Sequence, residues 1–439
     1  MSSSNKRPRS PALTPPRKAP RRGNAPSSPT AAAQQPDDLR WLPKIGTLMH
    51  ATYHSPQPSS KIAAFDLHHT LVTPMSGARH SATAYDWKWW SSDVEGKENA
   101  VPEKLKELHN NGYAILVFTS QWQGDAELMR SFKLRVANIC SHLDVPLRLF
   151  VSTEHDIYRK PVHGAWLEFV KHWNGGKAID SAESFFVGDA AGAGNSPMDY
   201  DRKFAYNAGL PFMTPGTFFL DKEPYRNMSF KGFCAAKYDH SLPLFMPTNT
   251  PLIPRSLSDF EPPPKDVVLL IGAPGSGKTH FANKYFSPLG YIRITGSDPY
   301  LQLKKQLTAS PSSSFVIDTR LPSRQGRSML IHLVRTASPS HRIRLLKFTA
   351  SEELSKHNSV YSVLFDGEKT PDGKARVFTT EEEYRRWYEE LEDPRLDEGF
   401  DEIKQINFKF DKSGPRGDER FKLWKLFLDP YPYDRTKKP

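Results

Sequence analysis

Gly272-Ala273-Pro274-Gly275-Ser276-Gly277-Lys278-Thr279 stands directly behind the apolar run Val267-Val268-Leu269-Leu270-Ile271. The octapeptide satisfies G-x-x-x-x-G-K-[ST] without a mismatch, and the run before it reads as a buried strand. A strand, a glycine-rich turn and a helix opening near Lys278 form the setting in which this motif cradles phosphate. Gly272, Gly275 and Gly277 let the backbone curl around Ser276 until its N–H groups converge on phosphate oxygens. Lys278 then reaches the β- and γ-phosphates, and Thr279 ligates Mg²⁺. The stretch predicts an α/β domain that uses ATP and Mg²⁺.

A second stretch, Phe65-Asp66-Leu67-His68-His69-Thr70, points to different phosphate chemistry. Lys61-Ile62-Ala63-Ala64-Phe65 reads as a short buried strand ending in Asp66, and α/β sheets gather their ligands at the carboxyl ends of strands. Three more strand ends follow. Ala114-Ile115-Leu116-Val117-Phe118 ends in Thr119-Ser120, a third apolar strand precedes Arg159-Lys160-Pro161, and Phe185-Phe186-Val187-Gly188 ends in Asp189. A carboxylate nucleophile, a hydroxyl, an ammonium and a second carboxylate, in that order, make a four-part phosphotransfer site.

The 439 residues suffice for two cored domains and a tail. Two cysteines, Cys140 and Cys234, argue against a disulfide framework and fit a reducing compartment. No apolar stretch is long enough to span a membrane, and the amino terminus lacks a secretory apolar core. Of the net charge of +11, seven units sit in residues 1–23 as Lys6, Arg7, Arg9, Arg17, Lys18, Arg21 and Arg22, with no acid among them. This Ser/Pro-rich segment cannot bury enough apolar surface to order itself. Its split basic pattern reads as a nuclear localisation signal or a nucleic-acid-binding arm, against a merely solubilising tail.

Along the chain we expect a disordered tail (1–40), a first α/β domain (41–225), a proline-rich linker (226–264) and a second α/β domain (265–439). The first alternates strand and helix as a parallel sheet, with helices around Pro102 to Asn111, Asp125 to Leu143 and Pro161 to Trp173. The second has strands near Tyr291 to Ile294, Phe315 to Ile317 and Ile343 to Phe348. Trp387, at helical spacing from Tyr384 and Leu391, reads as core rather than a base-stacking platform.

From about Lys61 onward the chain resembles the eukaryotic polynucleotide kinase 3′-phosphatase family, fungal in type. Its members join a haloacid-dehalogenase-like Rossmannoid phosphatase to a P-loop NTPase kinase in this order. The resemblance rests on Val117-Phe118-Thr119-Ser120-Gln121, Arg159-Lys160-Pro161-Val162, Gly188-Asp189-Ala190-Ala191-Gly192, the run Asp201 to Phe212 with its Asn-x-Gly-Leu-Pro-Phe, Val316-Ile317-Asp318, Lys356-His357-Asn358 and Glu398-Gly399-Phe400. It implies DNA ends bearing 3′-phosphate and 5′-hydroxyl as substrates, work beside a repair scaffold or ligase, a nuclear location and a monomer. Animal members carry an amino-terminal forkhead-associated domain; only the basic tail stands in that place here. For the phosphatase it implies Asp66 as nucleophile and Mg²⁺ held by Asp66, Asp189 and the main chain at His68. Thr119 and Lys160 would bind the phosphoryl oxygens, with Arg159 nearby for the DNA.

Two departures matter. The family pattern D-x-D-G-T reads D-L-H-H-T here, so His68 replaces an acid–base aspartate and His69 replaces a glycine. Imidazole performs acid–base work near neutrality, but a residue other than glycine at position 69 risks an unfavourable backbone. In the kinase, Thr295-Gly296-Ser297-Asp298 replaces an Asn-Arg-Asp turn, which makes Asp298 either the general base for the 5′-hydroxyl or an N-cap before Pro299. Asp318 would position Mg²⁺ or the acceptor. Arg324 and Arg327 would cover the transferring phosphoryl group, or serve only as solvated arginines. The departures also support a second class, a DNA-end-binding protein with weakened catalysis. A metabolite kinase is opposed by the Gly188 to Phe212 resemblance.

Overall fold

The computed structural model describes residues 38–429 apart from residues 82, 122–125, 194–197, 254–264, 368–372 and 374. The basic tail and the proline-rich end of the expected linker lie outside the described residues. The first half runs β1 (Leu39–Ile45), β2 (Leu48–Tyr53), β3 (Ile62–Phe65), the two-stranded ribbon β4 (Val72–Thr73) and β5 (Lys88–Trp89), α1 (Ala100–Asn110), β6 (Ala114–Ser120), α2 (Ala126–Leu143), β7 (Leu147–Ser152), α3 (Gly164–Glu168), β8 (Phe185–Val187), α4 (Tyr200–Ala208), β9 (Phe212–Met213) and α5 (Pro215–Leu220). The second runs β10 (Phe245–Met246), β11 (Asp266–Ile271), α6 (Lys278–Phe281), β12 (Ile292–Ile294), α7 (Pro299–Ala309), β13 (Phe315–Ile317), α8 (Arg324–Ala337), β14 (Arg342–Phe348), α9 (Glu352–Phe365), α10 (Glu381–Glu390), β15 (Glu402–Ile406) and α11 (Gly417–Trp424).

Seven strands form the first sheet in the order β1-β2-β7-β6-β3-β8-β9. The strands from β7 to β9 are parallel, so each strand's carboxyl end opens on one crevice. The expectation of a wholly parallel sheet needs correction at the edge, because β1 and β2 pair antiparallel with each other and β2 with β7. Gly46, at φ +59°, allows the turn between them. Both faces of the sheet are covered. Ala63 and Phe65 of β3 enter one core with α1 and α2, while Ile62 and Ala64 enter the other with α3 and α4. The helix expected from Pro161 starts at Gly164 and continues as a π-helical turn over Phe169–Trp173.

Six strands form the second sheet in the order β10-β15-β14-β11-β13-β12. Val267, Leu269 and Ile271 face one core, and Val268 and Leu270 the other. β15 and β10 escaped the sequence reading. β10 lies inside the expected linker, yet it pairs antiparallel with β15. Leu252 is buried beside it, and its carbonyl accepts from Arg344 Nη1 at 2.7 Å. Phe233, Ala235 and Tyr238 pack with Leu354 and Trp424, so this stretch is built into the second half rather than spanning freely. Among the described residues no helix is long and apolar enough to cross a membrane.

Candidate active sites

Parallel pairing of β6, β3 and β8 brings Thr119, Asp66 and Asp189 to one edge, and the loop after β7 delivers Lys160. Lys160 Nζ donates to Asp66 Oδ1 at 2.5 Å and to the Phe118 carbonyl at 3.0 Å. Its other carboxylate partner is Asp201, at 2.6 Å. Asp201 is the residue sequence reasoning missed. It lies in the first turn of α4, wholly buried, with Oδ2 accepting from Ala190 N at 3.0 Å. A Cβ at Gly188 would sit 2.6 Å from the Asp201 side chain, so the strand end must be glycine for this helix to come close. The available signal was a buried-type helix carrying an aspartate inside the run of strongest resemblance.

Asp66, Asp189 and Asp201 place ligand oxygens within 4.8 Å of one another. Burial comes first in raising the carboxyls of Asp189 and Asp201; Asp201 and Asp66 add to it at Asp189, while at Asp201 Lys160 opposes it and Asp66 adds to it. Burial opposes the charge on Lys160, but Asp201 and Asp66 hold its ammonium above the ordinary range. Three carboxylates against one ammonium leave negative charge that a divalent cation fits. Thr70 is buried and orients the cluster by accepting from Asp189 N at 3.1 Å.

His68 lies in the same crevice, its Nδ1 3.3 Å from Thr119 Oγ1. Burial, helped by Arg135, pushes its imidazole down to about 3. His69 takes φ +58°, the left-handed conformation that a glycine adopts without penalty. Arg159, expected beside the DNA, borders a cavity of about 30 Å³ with Val360, Phe378 and Asp429, in the seam between the two halves.

In the second half the phosphate loop follows β11 and ends at α6. Gly275 has φ +77°, and a Cβ there would lie 2.1 Å from the Ser355 carbonyl, so helix α9 packs directly on the loop. Lys278 Nζ donates to the carbonyls of Gly272 at 2.6 Å and Ala273 at 3.0 Å. Enclosure lowers its ammonium to about 8, with Asp318 opposing the shift. Thr279 Oγ1 donates to Asp318 Oδ2 at 2.7 Å, and Arg293 Nε lies 3.2 Å from the same oxygen. Buried Ser276 Oγ has no hydrogen-bond partner among the described residues. Thr279, Asp318 and the loop therefore fit a nucleotide with its divalent metal.

Arg327 must be corrected. It is fully buried, its Nε and Nη2 each donate to Glu398 at 2.8 Å, and Nη1 donates to the Pro322 carbonyl. A guanidinium so engaged braces α8 and cannot cover a phosphoryl group. Arg324 is exposed and reaches Asp397 at 3.3 Å. Asp298 caps α7, Oδ1 accepting from Leu301 N at 2.9 Å, and no hydrogen bond among the described residues joins it to Lys278, Thr279 or Asp318. Trp387 is buried in the core, as expected, and also walls a cavity of about 290 Å³ reaching Gly272 and Ala273.

Residues 61–219 match the family model described as polynucleotide kinase 3 phosphatase. The bifunctional polynucleotide phosphatase/kinase of Schizosaccharomyces pombe is 28% identical over 390 residues, covering 87% of this chain and 88% of that protein. The polynucleotide 3′-phosphatase ZDP of Arabidopsis thaliana is 34% identical over 178 residues, or 37% of this chain and 24% of that protein. An uncharacterized 20.8 kDa protein of Autographa californica nuclear polyhedrosis virus is 35% identical over 186 residues, or 40% of this chain and 96% of its own length. With the carboxylate–lysine site inside the matched span and one relative aligned through both halves, the chain belongs to the polynucleotide kinase 3 phosphatase family.

Proposed function

We propose that this chain processes DNA ends in strand-break repair, removing 3′-phosphates in its first half and phosphorylating 5′-hydroxyls with ATP in its second. The observation that carries the reading is the Asp66–Lys160–Asp201 cluster, with Asp189 beside it, on the same chain as a complete phosphate loop. In the first reaction an Asp66 oxygen attacks phosphorus, the bond to the 3′-oxygen breaks as a proton from solvent completes the 3′-hydroxyl, and an aspartyl-phosphate forms. Lys160 and Thr119 hold the phosphoryl oxygens. Water then attacks phosphorus, its proton passing through His68 to solvent, and inorganic phosphate leaves as Asp66 is restored. Asp66, Asp189, Asp201 and the main chain at His68 would hold Mg²⁺, which supplies positive charge opposite the phosphate.

In the second reaction the 5′-hydroxyl oxygen attacks the γ-phosphorus of ATP, the bond to the β-phosphate breaks to release ADP, and the hydroxyl proton passes to the carboxylate of Asp298, whose Oδ1 also caps α7. Lys278 and the loop amides hold the β- and γ-phosphates, and Thr279 and Asp318 would hold Mg²⁺. Both products are ends a ligase can join, which supports action in the nucleus beside a ligase or repair scaffold. A gapped duplex carrying 3′-phosphate and 5′-hydroxyl, incubated with ATP and Mg²⁺, tests the reading: both ends should convert. Tight binding to that duplex with neither conversion would instead make the chain an end-binding protein.

A further inference from the structure

Asn207 opens the Asn-x-Gly-Leu-Pro-Phe run and takes no part in either proposed reaction, yet its side chain is fully engaged. Nδ2 donates to the Pro161 carbonyl at 2.8 Å and to the Phe427 carbonyl at 2.9 Å. Oδ1 accepts from Phe427 N at 2.9 Å. Only an amide side chain can pair in this way with both backbone groups of one residue. Pro161 follows Lys160 directly, and Asn207 shares helix α4 with Asp201. One side chain therefore ties the lysine loop and the Asp201 helix to the segment after α11, in the other half of the molecule.

That segment is a fixed anchor. The Phe427 ring lies 4.4 Å from Phe230 and 5.1 Å from Tyr206, centroid to centroid, and Arg202 stacks on Phe230 at 4.1 Å. Upstream, Trp424 is buried, its Nε1 donates to Asn358 Oδ1 at 2.8 Å, and its carbonyl contacts His357 Nε2 at 2.8 Å. Asn358 Nδ2 in turn donates to the carbonyl of Gly275 in the phosphate loop at 3.2 Å. Hydrogen bonds thus hold each end of the path from the phosphate loop to Lys160.

We infer that Asn207 is a positioning residue through which the C-terminal segment of the kinase half holds Lys160 in place against Asp66. The 3′-phosphatase of this chain is then not autonomous; it rests on the phosphatase reading above and borrows its rigidity from Phe427. Lys160 reaches Asp66 from a loop, and a loop released from its brace displaces an ammonium that must meet phosphate oxygens. Misplacement of about 1 Å costs up to about 10²-fold in rate.

The test uses full-length Asn207→Ala, Phe427→Pro, which deletes the donating N–H, and the double variant. For release of phosphate from a 3′-phosphorylated oligonucleotide, kcat should fall about tenfold in each single variant with KM within about twofold, and the double should fall no further than the worse single. The 5′-kinase rate should hold. Wild-type kcat in both single variants, or losses that multiply in the double, would overturn the inference. Hydrogen exchange of peptide 157–165 supplies a readout independent of catalysis: it should quicken in each variant, and unchanged exchange overturns the brace. A wild-type chain releasing no 3′-phosphate would sink the phosphatase reading, and the exchange measurement would then decide the brace alone.

Discussion

The residue with the clearest local conflict is His69. At φ +58° a side chain crowds the backbone at a cost of about 1–2 kcal/mol, which glycine avoids but partly returns through its greater unfolded-state freedom. His69→Gly should therefore stabilise the protein by about 0.5–1 kcal/mol, read as a rise in the urea midpoint at constant slope. Combined with His68→Asp it should raise 3′-phosphate release about tenfold or more, since a positioned acid–base carboxylate contributes roughly 10²–10⁴ in rate. An unimproved rate would show that His68 already does the work of that aspartate. Asp66→Asn removes the attacking carboxylate, so phosphate release should vanish while 5′-phosphorylation persists. Lys278→Ala should do the reverse, and loss of both activities in a folded variant would contradict separate sites.

At the scale of elements, the Glu398-Gly399-Phe400 run is structural. Glu398 neutralises the buried Arg327 of α8, Gly399 turns the chain at φ +107°, and Phe400 enters the core. Removing one partner of such a pair strands a buried charge, which costs about 3–5 kcal/mol. Glu398→Ala should lower unfolding free energy by about that amount while leaving the KM for ATP unchanged in protein that remains folded. A raised KM at intact stability would return Arg327 to the phosphate site. β14 shows the same device: Arg344 reaches Asp266 of β11 at 3.0 Å through Nε and ties in the Leu252 carbonyl, which is how chain expected to be linker becomes part of the sheet.

Across the whole molecule, the seam between the halves carries its own pH dependence. His357 is buried against the Trp424 carbonyl and near Lys203 of α4, and burial brings its imidazole down to about 4. The unfolded chain takes up a proton near pH 6.5, so this residue's contribution is complete above that pH and is lost as pH falls toward 4. The loss amounts to at most about 3 kcal/mol. His357→Gln, able to donate to the same carbonyl, should flatten the stability profile between pH 6.5 and 4; an identical acid slope in both proteins would place the titration elsewhere. The amino-terminal charges act by a different route. Deleting residues 1–23 should weaken DNA binding mainly at low salt and lower the slope of log affinity against log salt, because the arm's seven cations attract DNA by releasing counterions. An unchanged slope, with unchanged nuclear accumulation of a fluorescent fusion, would make the arm passive.

The phosphate loop was legible in the sequence because its chemistry is local: the glycine spacing, the lysine and the preceding strand are contiguous. The strand ends at Asp66, Thr119 and Asp189 were legible for a related reason, since parallel strands that alternate with helices must open on the same edge. Asp201 was not, because an aspartate in a helix's first turn becomes a site residue only when that helix packs on the glycine at the preceding strand's end. The β1–β2 hairpin, β10 and β15 were hidden because short strands at or next to a sheet edge carry weak patterns and are defined by their neighbours. Arg327 looked like a phosphate ligand until packing supplied Glu398, and Asn207 had no visible purpose until the chain folded back to bring Phe427 to it. Local backbone chemistry was written in the sequence; the partners of buried charges and amides were decided by tertiary packing, where burial makes each polar group take whichever partner the fold brings within reach.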